Sequence, residues 1–230
     1  MEIKEQLEAA WLKIEGDALF ALTRLVTYTG RFEVEGLAHA TKAQADGHPP
    51  LWTMWHGEVW PFLVWADRFI GGAKFHAVRV GGDERADILG QLGERLGANT
   101  YPADMNNPMA ASRAVLKTVR ELKKPGMHSF IAPDGPSGPV YEPKGGVAFL
   151  ARKAKAAVLP MGLWTKHAYF MKRWDSYMIP YPFAKIYVHI GEPIYASRKS
   201  DESELLTQIS DALHAARTRA QIMAGVEPWR

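Results

Sequence analysis

The segment Leu51-Trp52-Thr53-Met54-Trp55-His56-Gly57 is a short run of bulky, mostly apolar residues that breaks on a histidine and a glycine. Such a run, bounded by a turn signal, reads as a strand buried on both faces. From Gly57 the apolar residues recur at helical spacing as far as Ile70, and Gly71-Gly72 stops the pattern. His56 is therefore predicted at a strand-to-helix junction.

Outward from this junction the alternation repeats. The spacing predicts strands near Phe75–Val80, Asn99–Tyr101, Met127–Ala132, Ala157–Leu163 and Lys185–Ile190. Between and after them it predicts helices over Glu84–Leu96, Pro108–Leu122, Gly146–Lys155 and Glu202–Met223. Upstream, Ile3, Leu7, Trp11, Ile14, Ala18, Leu22 and Leu25 mark an amphipathic helix from Glu2 to Tyr28. Phe32 and Val34 mark a half-exposed strand, and a polar connection runs from there through Pro49-Pro50. Strands alternating with helices predict an α/β fold, a mostly parallel central sheet flanked by helices. In such a sheet a site lies beyond the carboxyl ends of the strands. No repeat or linker divides the chain, so one domain is expected over residues 1–230. It comprises an N-terminal amphipathic helix (1–29), an α/β core (30–200) and a C-terminal helix (201–230).

With 47% hydrophobic and 23% charged residues the composition is that of a globular protein. A net charge of +3 with scattered basic residues does not call for nucleic acid, though it suits anionic lipid or phosphate groups. The absence of cysteine excludes disulfides, thiolate metal sites and a cysteine nucleophile. Met1-Glu2-Ile3-Lys4-Glu5 has no basic or apolar character of a signal peptide, so a cytoplasmic location is expected. The apolar stretch from Ala18 to Tyr28 is too short to span a bilayer, which takes roughly 20 apolar residues, so any membrane contact is expected to be peripheral. The first helix admits two readings, packing on the core or lying at a lipid interface through Trp11 and Leu22.

The Gly-rich phosphate loop, the dinucleotide fingerprint, the zinc-peptidase His pair and the Gly-x-Ser-x-Gly elbow are all missing, which leaves a hydrolase without its usual nucleophile or metal ligands. Two loops stand out instead. In the first, imidazole ordinarily titrates near neutrality, so His56 suits a general base for a hydroxyl, while Gly57 permits close approach to the ring. A lone histidine beside two tryptophans is more often a hydrogen-bonded core residue. The second, Ile131-Ala132-Pro133-Asp134-Gly135-Pro136-Ser137-Gly138-Pro139, is stiff and sharply turned and leads through Lys144-Gly145-Gly146 to a helix start. That loop can hold a phosphate at free backbone N–H groups, or serve as a turn capped by Asp134. Helix 57–70, with Trp60, Phe62 and Trp65, walls an acyl groove in one reading and is core in the other.

Together, Leu51–Gly57, Ile131–Pro139, Gly145–Leu163 and Trp174–Ile194 ("WDSYMIPYPFAKIYVHIGEPI") resemble the lysophospholipid acyltransferase superfamily, in particular its small bacterial branch known as domain of unknown function 374. The resemblance implies transfer of a fatty acyl group from acyl-CoA or acyl carrier protein to a hydroxyl of a lysophospholipid, glycerolipid or lipid A-like acceptor. It implies no metal, no cofactor beyond the acyl donor, and contact with the inner face of the cytoplasmic membrane. His56 matches the family's catalytic histidine, Asp134 the acidic residue of its third block, and Arg113 an arginine in the preceding helix. Gly57, Gly135, Ser137 and Gly138 are then expected to line the substrate, while Arg79, Arg113 and Lys144 either meet anionic groups of the acceptor or the acyl carrier or are solvated surface residues. The chain departs from the family where an acidic residue is usual, five positions past the histidine, because that position is Pro61. Asp134 is expected to replace it on the ring, then Glu58, with Asp87 as a further option. That departure also motivates a competing reading, a lipid-binding scaffold without turnover, while Gly81-Gly82-Asp83-Glu84-Arg85 in place of the branch's basic run leaves the acceptor open.

Overall fold

The computed structural model describes residues 2–71, 74–80, 91–103 and 107–228, with side chains from Lys13 onward except at 80 and 108. Helix α1 (Glu2–Thr29) leads through β1 (Arg31–Glu35) and α2 (Leu37–Ala45) to β2 (Pro50–Thr53) and α3 (Val59–Phe69). Then follow β3 (His76–Val80), β4 (Asn99–Ala103), α4 (Pro108–Leu122), β5 (Ser129–Ile131), α5 (Gly146–Ala154) and β6 (Ala157–Trp164). The chain closes with β7 (Ala168–Phe170), β8 (Met178–Pro180), β9 (Lys185–Ile190), β10 (Ile194–Tyr195) and α6 (Glu202–Met223).

The central sheet has the order β1-β9-β6-β2-β5, with β10 also beside β6. β2 runs parallel to both β5 and β6, and β1 parallel to β9, while β6 and β9 are antiparallel. A parallel bridge between Phe75 and His128 continues the sheet toward the parallel pair β3-β4. The mostly parallel α/β architecture expected from the sequence is thus the one observed.

Alternation along β2 and its extension divides the core. Trp52 and Met54 enter one cluster with Phe62, Trp65 and Leu159, whereas Leu51 and Trp55 enter another with Val147, Leu150, Ile209 and Leu213. Burying both faces explains why the strand carries almost no polar side chain. On α3, Trp60, Phe62 and Trp65 are 0–1% exposed. Truncating such a side chain costs about 3–5 kcal/mol, a large share of a typical stability of about 5–15 kcal/mol. These aromatics are therefore core. The pocket Phe62 does line, with Leu63, Ala66, Phe75 and Leu96, is about 20 Å³ and apolar, far short of the roughly 300 Å³ at which ligand sites begin.

α1 packs on α3, where Trp60 Nε1 donates to Thr23 Oγ1 at 2.8 Å and Arg24 pairs with Asp67 at 2.7 Å. Leu22 is partly buried against the core rather than turned to solvent, and Trp11 lies where side chains are not described. α2 replaces the polar connection expected before Pro49. Its two buried residues, Ala40 and Ala43, are too small to leave an apolar stripe in the sequence. Of the helix expected over 84–96, residues 91–95 are helical; Asp83, Glu84, Arg85 and Asp87 lie outside the described residues.

Candidate active site

β2 ends at Thr53, and Trp55 leaves it in an extended conformation to enter a short 3₁₀ turn, His56–Glu58. Trp55 is buried against Tyr141 and His214, which fixes where the turn begins. The His56 side chain emerges beyond the carboxyl end of β2 with 17% of its surface exposed. Gly57 cannot carry a side chain here, because a Cβ would lie 2.2 Å from the carbonyl oxygen of Asp175.

That close approach brings in the carboxylate. His56 Nδ1 lies 2.6 Å from Oδ2 of Asp175, whose side chain is wholly buried in the segment between β7 and β8. Burial pushes the Asp175 carboxyl up, but the hydrogen bond to His56 and the Arg173 guanidinium, 3.4 Å from Oδ1, outweigh it and hold it below the ordinary value. An ionised carboxylate only accepts, so Nδ1 carries the proton and Nε2 is left with its lone pair. Trp174 packs on the imidazole with ring centroids 5.3 Å apart, and Tyr177 flanks it at 5.8 Å.

Neither carboxylate expected on the ring fills that position. Asp134 grips backbone instead: Oδ1 accepts the His56 N–H at 2.9 Å and Oδ2 accepts the Tyr141 N–H at 3.2 Å. It ties the histidine turn to the Pro133–Tyr141 loop, and burial raises its carboxyl despite those two bonds. Glu58 is buried and turned to the opposite side, onto Leu163 and Arg217. Pro61 is buried within α3. The sequence reading missed Asp175 altogether, although it lies in the quoted Trp174–Ile194 segment.

The other residues singled out from the sequence divide by position. Gly135 borders the imidazole edge; a Cβ on it would meet His56 Cδ2 at 2.5 Å and Nε2 at 3.3 Å. Gly138 is pressed on Trp174, where a Cβ would come within 2.9 Å of the indole. Lys144, exposed, donates from Nζ to the Gly135 carbonyl at 3.1 Å, so its charge stands beside the ring. Within the loop, Gly135 N–H donates to Ala132 and Gly138 N–H to Asp134, and proline has no N–H. Ser137, exposed, is left with an N–H that no described residue accepts. Arg79 is half-buried on β3 and Arg113 exposed on α4, outside this inner group. Behind the His56–Asp175 pair is a cavity of about 10 Å³ bounded by Gly57, Glu58, Trp164, Asp175, Ser176 and Arg217. Among the described residues no three His, Asp or Glu side chains converge as metal ligands would.

The fold of the chain is shared with a solved acyltransferase. It is similar to the crystal structure of the 1-acyl-sn-glycerophosphate (LPA) acyltransferase PlsC from Thermotoga maritima, with a TM-score of 0.55 over 92% of this chain and 82% of that one, at 16% identity. An uncharacterized protein of Rickettsia prowazekii is 29% identical over 108 residues, 46% of this chain; the match spans about half, 48%, of that relative's length. No protein-family model matches the chain.

Proposed function

We propose that the protein is an O-acyltransferase that moves a fatty acyl group from a thioester, acyl-CoA or acyl carrier protein, to a hydroxyl of a lysophospholipid, glycerolipid or lipid A-like acceptor. The observation that carries this reading is the His56 Nδ1–Asp175 Oδ2 contact of 2.6 Å at the carboxyl edge of a sheet with an acyltransferase-like fold. Nε2 takes the acceptor's proton as its oxygen attacks the thioester carbonyl, and Asp175 stabilises the imidazolium that forms. Collapse of the tetrahedral intermediate breaks the carbon–sulfur bond, and the imidazolium returns its proton to the departing thiolate. The Ser137 N–H is a loop amide free to meet the oxyanion; one well-aimed donor contributes about 3–4 kcal/mol. Lys144 is the cation placed for an anionic group of either substrate.

Release of free thiol from acyl-CoA or acyl carrier protein, with mixed lysolipid acceptors, tests the proposal. Lipid binding without thiol release would instead favour the scaffold reading. Pro61 was the ground for that reading, and Asp175 supplies from another loop the carboxylate that position 61 lacks.

Gly135→Ala is expected to lower turnover by up to about 100-fold with little change in melting temperature, since displacing a catalytic group by about 1 Å can cost that much. Steady-state kinetics beside a thermal melt would check it. The added methyl would stand 2.5 Å from the imidazole, on a half-exposed loop rather than in the core.

Peripheral membrane contact belongs to the same proposal. No helix among the described residues is long and apolar enough to cross a membrane. Among the described side chains of α1 the exposed large apolar ones are Ile14 (56%), Leu25 (46%) and Tyr28 (68%). Replacing these three with Ser is expected to weaken flotation with anionic liposomes while leaving the melt unchanged; full retention would place lipid contact elsewhere or nowhere.

A further inference from the structure

Glu58 stands two residues past His56 in the same turn, yet it is 1% exposed. Oε2 accepts the Leu163 N–H from β6 at 3.0 Å, and Oε1 accepts from Arg217 of α6 at 3.1 Å. Gly162 makes this convergence possible. A Cβ there would fall 2.1 Å from the Ala216 carbonyl oxygen, so only glycine lets α6 lie directly on β6 and deliver Arg217.

The groups around Glu58 make an unequal balance. Arg217 faces it from α6, with its guanidinium over the Tyr141 and Trp164 rings. Asp134 and Tyr141 approach from the Pro133–Tyr141 loop. Asp175, with Arg173, approaches from the segment before β8. Burial pushes Glu58 up to about 7, with Arg217 acting against it. At neutral pH a proton therefore comes on and off. Both hydrogen-bond partners of Glu58 are donors, so a protonated Glu58 needs an acceptor for its O–H. The same small cavity presents one. Asp175 Oδ1 is buried and, among the described residues, accepts no hydrogen bond, although Arg173 Nε is 3.4 Å away. At about 10 Å³ the cavity is close to the size that holds one water.

We propose that Glu58 is a positioning residue of the site, joined through one water to the second oxygen of Asp175, so that its proton governs how firmly Asp175 holds the His56 ring. Ionised Glu58 adds negative charge behind Asp175 and favours the imidazolium. Protonated Glu58 donates toward Oδ1, draws charge from Oδ2 and loosens that hold. As a claim about catalysis this rests on the acyltransferase reading; as a claim about coupling it needs only the geometry.

The test is side-chain NMR titration of His56 in the full chain, wild type against Glu58→Gln. The wild-type curve is expected to carry a second inflection near pH 7 from Glu58, and the variant to lose it and to show a lower midpoint. Curves that superimpose would overturn the coupling. Because Glu58→Gln removes the carboxylate that pairs with the buried Arg217, the double variant Glu58→Gln/Arg217→Met, which removes both charges of the pair, serves as a second arm in which the same loss is expected. Stability gives an independent reading. An acid raised from 4.5 to about 7 binds more protons folded than unfolded between those values, so stability should fall as pH rises through that window. Glu58→Gln should flatten the slope, and an unchanged slope would count against titration of Glu58. Thiol release assayed on the same samples separates the two claims. Loss of the inflection in a chain that never transfers acyl groups would support the coupling and overturn the acyltransferase reading. An unchanged His56 curve in an active enzyme would do the reverse.

Discussion

His56→Ala is expected to lower acyl transfer by about 100-fold to 10,000-fold, the usual contribution of a positioned general base, with the fold retained. The ring is the partly exposed end of the site, and its removal takes away its packing against Trp174 and Tyr177. Asp175 loses its acceptor role toward Nδ1, which at a buried carboxylate costs about 1–3 kcal/mol. Against a typical stability of about 5–15 kcal/mol that leaves a folded protein, particularly as Arg173 remains 3.4 Å from the carboxylate. Thiol release and a circular-dichroism melt on one preparation separate lost chemistry from lost structure. Turnover within a few-fold of wild type would leave the proposed base without a role. So would a loss matched by a collapsed melt.

Much of the architecture could be read from periodicity because it was strong where burial was two-sided or one-faced. Pro108–Leu122, Lys185–Ile190 and Glu202–Met223 appear with the bounds their sequence pattern predicts. The Asn107 and Asp201 side chains cap the two helices, accepting from Ala110 and Glu204 N–H. What escaped was short or small. β7 and β8 pair over three residues each, and β10 over two, too little for an alternation to show. The histidine's position at the end of β2 was legible for the same reason the strand was. Its partner was not, because ring geometry is tertiary. Asp134 and Glu58 are near His56 in the expected layout, but backbone donors and a buried arginine claim them. Asp175 sits 119 residues downstream in a segment without a strand or helix of its own. The one local trace is Gly57. Its need for close approach was visible, but the backbone it approaches was not.

Asp175→Asn should reduce turnover nearly as far as loss of the histidine, although it removes no volume. An ionised Asp175 accepts from Nδ1 and so keeps the lone pair on Nε2, toward Gly135 and solvent. An asparagine can turn its NH₂ to the ring, and the imidazole then keeps its proton on Nε2, where a base must be unprotonated. The corresponding change in a serine protease, where aspartate holds the same tautomer, lowers turnover on the order of 10⁴-fold with geometry intact. At least about 100-fold is expected here, since a general base that cannot accept a proton forfeits its whole contribution. If Asp175 acted only as a buried anchor for its loop, Asn would preserve shape and turnover would persist while the melt shifted. If it sets the tautomer, turnover falls, the melt stays close to wild type, and imidazole nitrogen shifts report the proton moving from Nδ1 to Nε2. A variant retaining both wild-type turnover and Nδ1 protonation would show that Asp175 does not set the tautomer.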